Sequence, residues 1–251
     1  MLNPLTSPLL AQFPLIKQGF FTRIGGVSQG VHASLNLSKT KGDHEEFVQE
    51  NHNRIKEWFD KKPLILMNQV HEDNILFVTE ALHDKILPKV DGLITNSPGF
   101  VLGVLTADCI PVFLADPEAG LIGAVHSGWR GTVKNIAGKT VQQMKKHGAN
   151  KIYASLGPAI GQENFEVGVE VYEAFGLKFK DFFKASSSPN RYLCDLKGII
   201  VSQLTQKEVQ AIEVLPYDTY ASPELFFSCR RSTHQGESQF GCQFSGITIS
   251  V

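Results

Sequence analysis

The sequence predicts β-sheets covered by α-helices, an α/β or α+β sandwich. Three observations support this fold class. Short apolar runs rich in β-branched residues recur along the chain, and several are apolar on both faces, as in buried strands. Segments between these runs have the apolar spacing of amphipathic helices. No internal repeat or low-complexity tract divides the 251 residues, so one continuous domain is expected.

The apolar runs predict the positions of the strands. Each run is short and is bounded by polar residues, glycine or proline. The expected strands are 64–70, 75–78, 92–95, 101–106, 112–116, 121–125, 152–156 and 212–215.

The strongest helix prediction covers 133–144, with Gly148 as a stop signal after it. Apolar or small side chains recur there at i, i+3, i+4, i+7, i+8 and i+11, namely Val133, Ile136, Ala137, Thr140, Val141 and Met144. Further helices are expected at 44–59, 164–175 and 196–204, the last capped by Asp195.

The bulk composition favours a small-molecule ligand. A hydrophobic content of 42% lets the chain bury a core without covalent staples. The formal net charge of -1 gives no basic excess to neutralise phosphates, so nucleic acid is not expected as a partner. Prolines interrupt the first 21 residues, and no apolar stretch approaches the length of a membrane span. We therefore expect a cytoplasmic protein with no membrane partner, and we favour a monomer.

The four cysteines, at positions 109, 194, 229 and 242, are expected to be free thiols. They form no CxxC pair, and the chain shows no export signal. A cysteine of this kind is usually a small buried apolar residue unless its context assigns chemistry to it. The serine-rich segment 185–190 is the one candidate for a flexible connector.

Three side chains that can bind a metal share one kind of position. His71, Cys109 and His126 each end or closely follow an apolar run. Strand ends are where folds usually hold functional groups rigidly beside an open space. Two imidazoles and a thiolate suit zinc, and three protein ligands with an open fourth position are typical of a catalytic zinc. Copper is the competing metal, and each histidine taken alone is more often a hydrogen-bonded structural residue.

Two glycine-containing loops suit an anion. The segment 127–132 leads into the predicted helix and places Arg130 and several backbone N–H groups at its N-terminus, which favours phosphate. The segment 22–30 supplies Arg23 among glycines, where backbone N–H groups can cradle an oxyanion. The alternative for each loop is a glycine-assisted turn with a solvated arginine.

A series of ordered motifs covers the chain from about Phe20 to nearly its C-terminus. The motifs are Thr22-Arg-Ile-Gly-Gly-Val-Ser, Leu35-Asn-Leu, Asn68-Gln-Val-His71, Asp91-Gly-Leu-Ile, Thr106-Ala-Asp-Cys109-Ile-Pro-Val, Ala124-Val-His-Ser-Gly-Trp-Arg-Gly-Thr132, Leu156-Gly-Pro-Ala-Ile and Phe165-Glu-Val-Gly168. Together they closely resemble the YfiH, or laccase-domain, family.

The resemblance implies an α+β fold, a four-layer sandwich of mixed β-sheets flanked by helices in a single domain over residues 1–251. It also implies a zinc held by His71, Cys109 and His126. The implied chemistry is phosphorolysis of adenosine, inosine, guanosine or methylthioadenosine, together with deamination of adenosine. An older family name, multicopper polyphenol oxidase, fits the residues less well. Such a centre needs many clustered histidines, and this chain has eight, scattered.

Within that chemistry, Arg23 and Arg130 are expected to position phosphate. Asp108, beside Cys109, is either a catalytic acid or base or an acceptor that orients a histidine. A similarity to the catalytic domain of cytotoxic necrotizing factors leaves a further alternative, a cysteine hydrolase that uses Cys109 and a histidine base. A metal-stabilised binding module without catalysis is the remaining alternative.

The C-terminal part of the chain departs from the family pattern. The family usually has a Tyr-Arg-Arg stretch followed by a Thr-Gly-Arg motif. Here Ser228-Cys-Arg-Arg231 is followed by Ser238-Gln-Phe-Gly-Cys-Gln243, so Cys242 replaces the later arginine. Cys229 and Cys242 are expected to be packing residues, and the missing arginine is expected to alter substrate specificity or to weaken activity.

Overall fold

The computed structural model describes residues 2–39, 42–79 and 88–250. Its strands, numbered in chain order, are β1 Ile16–Phe20, β2 Leu64–Leu66, β3 Ile75–Phe77, β4 Gly92–Thr95, β5 Val101–Thr106, β6 Ile110–Asp116, β7 Leu121–Ser127, β8 Tyr153–Leu156, β9 Glu166–Gly168, β10 Phe183–Ala185, β11 Arg191–Cys194, β12 Ala211–Val214 and β13 Gln243–Ile249. Its α-helices are α1 Pro8–Ala11, α2 Glu45–Trp58, α3 Trp129–Val133, α4 Ile136–Lys146, α5 Val169–Phe175, α6 Leu196–Thr205 and α7 Cys229–His234.

The strands form three sheets. The largest has the order β12-β8-β6-β7-β4-β3, the second has the order β1-β13-β5-β2, and a small one has the order β10-β11-β9. Both large sheets are mixed, because β12 with β8, β3 with β4 and β2 with β5 are parallel pairs whereas the other pairs are antiparallel.

The two large sheets pack face to face, and helices cover their outer faces. Phe20 of the second sheet stacks on Phe113 of the first, with ring centroids 4.4 Å apart, in the core between the sheets. Each such buried ring contributes about 1.5–3 kcal/mol. Helices α4 and α6 pack on the outer face of the first sheet. Ile55 and Phe59, in and just after α2, pack with Val101 on the second sheet. The predicted four-layer sandwich of mixed sheets flanked by helices is therefore confirmed.

The four predicted helices are present, two of them with different starts, and the sequence missed α1, α3 and α7. The helix predicted at 133–144 begins at Ile136, because Asn135 adopts a left-handed φ of 60° and caps α4 through its side chain. The helix predicted at 164–175 is wrong in its first half, where β9 pairs with β11 and helix α5 starts only at Val169. Asp195 caps α6 as expected, accepting a hydrogen bond from the Gly198 N–H.

The predicted strands are all present, and the sequence missed β1, β9, β10, β11 and β13. The run 64–70 is a strand only over Leu64–Leu66, after which the chain leaves the sheet toward His71. The serine-rich segment expected to be a connector links β10 to β11 as a hairpin, so it lies inside the domain. In the part of the chain that the structure describes, every helix is too short or too polar to cross a bilayer.

Candidate functional site

The sheet topology gathers four functional side chains at one edge of the large sheet. Strand β7 is antiparallel to both β4 and β6. In an antiparallel pair the end of one strand lies beside the start of its neighbour. Asp91, directly before β4, and Cys109, directly before β6, therefore flank His126 near the end of β7. Strand β3 is parallel to β4, so the loop before β3, which carries His71, reaches the same edge.

His71, Cys109 and His126 converge on one point. One ligand atom from each residue lies within 4.8 Å of the others, so a small inward movement of the side chains would bring all three to the bond lengths of a single ion. The two imidazole rings meet edge to face, with centroids 4.8 Å apart. His126 is buried, Cys109 is half-buried and His71 is exposed, so the cluster opens to solvent on the His71 side. The structure thus brings together the three residues that the sequence predicted to share a metal site.

Asp91 fixes the orientation of His126. Its fully buried carboxylate accepts a hydrogen bond from His126 Nδ1 at 2.7 Å. Burial opposes ionisation of Asp91, but hydrogen bonds from His126 and from the backbone of Glu72 and Val70 hold its pKa below the usual value. Because an ionised carboxylate only accepts, Nδ1 carries the proton and Nε2 is left to bind a metal. The sequence analysis gave Asp91 no role, although it too stands beside the end of a strand.

The same carboxylate holds the loop that carries His71. The N–H groups of Val70 and Glu72 donate to Oδ2 at 3.1 and 2.9 Å, and that of His71 donates to Oδ1 at 3.0 Å. Three consecutive N–H groups around an oxyanion form a nest. His71, at its centre, has a left-handed φ of 61°. That backbone costs about 1–2 kcal/mol for a residue with a side chain, and the charge-assisted hydrogen bonds offset the cost.

Cys109 and His126 stabilise each other's charged forms in the absence of a metal ion. Burial alone would raise the pKa of Cys109, but the positive charge of His126 and hydrogen bonds from both histidines lower it to about 6. Burial alone would lower the pKa of His126, but the Cys109 thiolate and Asp91 raise it to about 9. The thiolate is the form in which cysteine binds a metal, and the ion then takes the place of the proton on His126.

Because Gly128 has no side chain, Cys109 and His71 can approach its backbone closely. A Cβ on this residue would lie 3.0 Å from Cys109 Sγ and 3.1 Å from His71 Cδ2. Its φ of −79° is available to any residue, so the close approach of the two ligands, and not the backbone conformation, requires glycine here.

The cluster forms part of the wall of a cavity of about 520 Å³, named the metal cavity here after the possible metal ligands in its wall. Its volume is typical of small-molecule sites. Part of the wall is apolar, formed by Leu37, Leu66, Met67, Leu105 and Phe240. Gln69 lies on the lining, and its side-chain amide exchanges hydrogen bonds of 2.8 and 2.9 Å with the backbone of Leu105, which fixes this wall. Among the described lining residues, Lys39 is the only lysine or arginine, and it is exposed.

His52 is a lining residue that the sequence analysis missed. It lies within α2, where a single histidine gives no sequence signal. Its Nε2 donates to the Leu37 carbonyl oxygen at 3.1 Å, because a carbonyl only accepts, and burial lowers the pKa of His52. The neutral ring therefore keeps Nδ1 as an acceptor.

Asp108 contacts the C-terminal part of the chain. Its buried carboxylate accepts hydrogen bonds from Thr219 Oγ1 at 2.6 Å, Ser228 Oγ at 2.9 Å and the Arg230 N–H at 2.7 Å. Burial raises the pKa of Asp108, and these donors offset the effect only in part. The carboxylate that orients a histidine is Asp91, and the described lining of the metal cavity does not include Asp108.

The two expected phosphate-binding arginines lie apart from the metal cavity. Arg130 is exposed and stacks on Trp129, with its guanidinium carbon 4.2 Å from the ring centroid. Arg23 donates from Nε to the Ala33 carbonyl oxygen at 2.6 Å and from a terminal nitrogen to that of Pro223 at 3.0 Å. It lines a second cavity of about 340 Å³. Neither arginine is on the described lining of the metal cavity.

The departure from the family pattern falls on the site itself. Cys229, Phe240 and Cys242 all line the metal cavity, whereas both cysteines were expected to be packing residues. Cys242 is 7% exposed, and its N–H donates to Asn36 Oδ1 at 2.9 Å. Cys242, which the resemblance places where the family pattern has an arginine, is therefore a lining residue of the cavity.

The four-layer fold and the His-Cys-His cluster at a sheet edge define a laccase-domain type of protein. A family model described as multi-copper polyphenol oxidoreductase laccase matches residues 17–250, and the chain belongs to this family, as its motifs predicted.

Several relatives of the chain are named purine nucleoside phosphorylase. The chain is 35% identical over 204 residues to one from Rickettsia conorii, covering 80% of this chain and 84% of that protein. It is 36% identical over 219 residues to purine nucleoside phosphorylase YfiH of Escherichia coli, covering 86% of this chain and 88% of the relative. The crystal structure of YlmD from Geobacillus stearothermophilus superposes with a TM-score of 0.88 at 32% identity, covering 98% of this chain and 94% of YlmD.

Proposed function

We propose that this chain is a zinc-dependent purine nucleoside phosphorylase that acts on adenosine, inosine, guanosine or methylthioadenosine and also deaminates adenosine. The observation that carries the proposal is the His71, Cys109 and His126 cluster in the wall of a cavity of nucleoside size. The names of the relatives support the phosphorylase activity. A cytoplasmic location is part of the proposal and is supported by the four free cysteines.

The donor set fits zinc. Two imidazole nitrogens and one thiolate leave a fourth position of a tetrahedral ion for a reactant. When bound, the metal would lower the pKa of a water molecule or polarise a substrate oxygen, which suits deamination. Asp91 supports this assignment, because metal-binding histidines commonly donate their other ring N–H to a carboxylate. Copper accepts the same ligands and remains the alternative metal.

The remaining lining residues suit a nucleoside. Leu66, Met67 and Phe240 offer an apolar surface for the purine ring and exclude water from it. His52 offers a neutral acceptor for an N–H or O–H group of the substrate.

Phosphorolysis requires two further tasks. A phosphate oxygen forms a bond to the anomeric carbon while the bond from that carbon to the purine nitrogen breaks, and the purine leaves with the electron pair and takes up a proton. Arg23 and Arg130 are the proposed phosphate-positioning residues. Asp108 is the proposed acid or base, and its raised pKa supports this role. Its carboxylate accepts hydrogen bonds from the hydroxyl groups of Thr219 and Ser228, so a proton that it exchanges with substrate would pass through one of these hydroxyls.

One observation favours a second candidate. Without a metal, the lowered pKa of Cys109 and the raised pKa of His126 describe a thiolate and imidazolium pair, as in a cysteine hydrolase. A multicopper oxidase has less support, because the described residues supply one cluster of three donors.

The proposal is tested with the purified full chain after its bound metal has been measured by elemental mass spectrometry. The protein is incubated with inosine or adenosine, with and without phosphate, and the products are separated by chromatography. Hypoxanthine and ribose 1-phosphate should appear in equal amounts from inosine, only when phosphate is present. Adenosine should give adenine and, independently of phosphate, inosine.

Two cysteine variants make the test specific. Cys109→Ala should remain folded but lose metal and turnover, whereas Cys194→Ala, in the core outside the cavity, should keep both. Unchanged nucleosides with the zinc-loaded protein would contradict the proposal. Oxygen uptake with phenols by a coloured, copper-loaded protein would indicate the oxidase, and hydrolysis that survives chelation but requires Cys109 would indicate the cysteine hydrolase. Unfolding of Cys109→Ala would indicate a binding module stabilised by its metal.

A further inference from the structure

A second cavity shares Phe240 with the metal cavity. Its volume of about 340 Å³ is near the lower limit for small-molecule sites. Two arginines, Arg23 and Arg231, lie on its lining, and Glu237 is the one acidic residue among the described lining residues. The proposed reaction uses Arg23 but gives no task to Arg231 or to the cavity as a whole.

Backbone carbonyls hold both guanidinium groups in place. Arg231 donates to the carbonyl oxygens of Thr219, Tyr220 and Phe226 at 2.7, 3.0 and 2.5 Å, and Arg23 is held in the same way by two others. A carbonyl orients a guanidinium group without neutralising its charge. Within residues 2–39, 42–79 and 88–250, neither arginine forms an ion pair.

The two positive charges are close enough to repel each other. Burial lowers the pKa of Arg23 most, Arg231 lowers it further, and Glu237 opposes both effects. Glu237 is exposed, so water and salt weaken its attraction for the arginines. The Arg23 guanidinium also lies 4.6 Å above the Phe227 ring, which fixes its plane. An anion bound between the arginines relieves this repulsion.

We propose that Arg23 and Arg231 form a binding site for a phosphate group, either inorganic phosphate or the phosphate of a monoester. The planar guanidinium fork matches the spacing of phosphate oxygens. Ser232 and Gln235 add a hydroxyl and an amide to the same lining. The choice of phosphate among the possible oxyanions rests on the proposed function. The inference that this cavity binds an anion does not depend on that function.

Two substitutions with opposite expected effects test the site. Glu237→Gln removes the carboxylate from the described lining and should tighten phosphate binding about threefold to tenfold at low salt. Ser232→Glu adds a carboxylate beside the arginines and should weaken binding by more than about 30-fold. Glu173→Gln, on the exposed side of α5 and outside both cavities, removes the same charge and should leave the affinity unchanged.

Affinities are measured by isothermal titration of the full chain with inorganic phosphate, and separately with ribose 5-phosphate, at fixed ionic strength. Each variant is also prepared in the Cys109→Ala background, which removes binding of phosphate to a metal. Opposite shifts in Glu237→Gln and Ser232→Glu, retained in this background, support the site, and the tighter of the two ligands identifies the source of the phosphate group.

Absence of phosphate binding, or equal phosphate affinities in Glu237→Gln and wild type, would overturn the inference. The comparison of Glu237→Gln with wild type is decisive even if Ser232→Glu fails to fold. Binding that disappears with Cys109→Ala would assign phosphate to the metal centre. That result would overturn this inference but leave the proposed function intact.

Discussion

Replacing Asp91 with asparagine should weaken metal binding and lower stability, although Asp91 is not one of the three proposed metal ligands. In the wild type, Oδ1 accepts from His126 Nδ1 and the His71 N–H, and Oδ2 accepts from the N–H groups of Val70 and Glu72. Whichever way the asparagine amide is oriented, one pair of donors faces an NH2 group, which cannot accept. Two donors then lose their acceptor, and the negative charge beside His126 is gone.

The magnitude follows from the hydrogen bonds lost. A hydrogen bond to a charged group is worth about 1.5–3 kcal/mol, so the free energy of unfolding should fall by about 3–5 kcal/mol. His126 also loses its anionic acceptor, and loss of such a partner weakens metal binding about 10- to 100-fold. Urea unfolding of chelator-treated protein measures the first effect. Competition with a fluorescent zinc chelator measures the second.

Asp116 provides a matched control. Its buried carboxylate also accepts four hydrogen bonds, from the backbone N–H groups of Glu118, Ala119, Asn150 and Lys151. It lies at the far end of β6 from Cys109, roughly 20 Å away at the rise of a strand. Asp116→Asn should therefore lose comparable stability but keep its zinc affinity. Equal zinc affinity in Asp91→Asn, Asp116→Asn and wild type would refute the role assigned to Asp91.

Three further predictions concern the same cluster. Iodoacetamide should modify Cys109 of chelator-treated protein with a half-maximal rate near pH 6, decreasing below that pH, and peptide mass spectrometry should show that zinc blocks the reaction. The lowered pKa of Cys109 stabilises the fold less as pH falls from 9.0 toward 6, whereas the raised pKa of His126 stabilises it less as pH rises from 6.5 toward 9. The two effects oppose each other between about pH 6.5 and 9. Urea unfolding of the metal-free protein should therefore show no net pH dependence from this pair in that range. Gly128→Ala should keep its circular dichroism spectrum but bind zinc more weakly in the chelator assay, because the added Cβ displaces Cys109 and His71.

The sequence predicted those elements whose signal is local. Strands β5 and β7 are nearly continuous apolar runs, and α4 repeats its buried side chains at helical spacing. Strand β13 was missed because Gln243, Ser245, Gly246 and Thr248 interrupt its apolar residues, so it has neither a continuous apolar run nor a regular alternation. It is nevertheless central in its sheet, paired on both sides with β1 and β5. Such pairing joins distant segments and leaves no local pattern.

The site shows the same division. His71, Cys109 and His126 were predicted because each ends or closely follows an apolar run, and the pairing of β3, β4, β6 and β7 then placed them together. Asp91 and Asp108 have the same kind of position, and nothing local separates them. Asp91 contacts the loop around His71 and His126, whereas Asp108 contacts residues more than a hundred positions later in the chain. Only the folded topology distinguishes the two carboxylates.

The resemblance implies that Cys242 stands where the family pattern has an arginine, and the cavity beside the His-Cys-His cluster accordingly has little positive charge on its described lining. Cys242 and Phe240 contribute a sulfur-containing and an aromatic side chain to the lining, and Lys39 is the one lysine or arginine among its described residues. An apolar wall selects a neutral purine by burial, but it gives a phosphate dianion little compensation for lost hydration. If the proposed phosphorolysis takes place here, phosphate must therefore be attracted by groups at the margin of the cavity. Arg23 and Arg231, beyond Phe240, supply that charge.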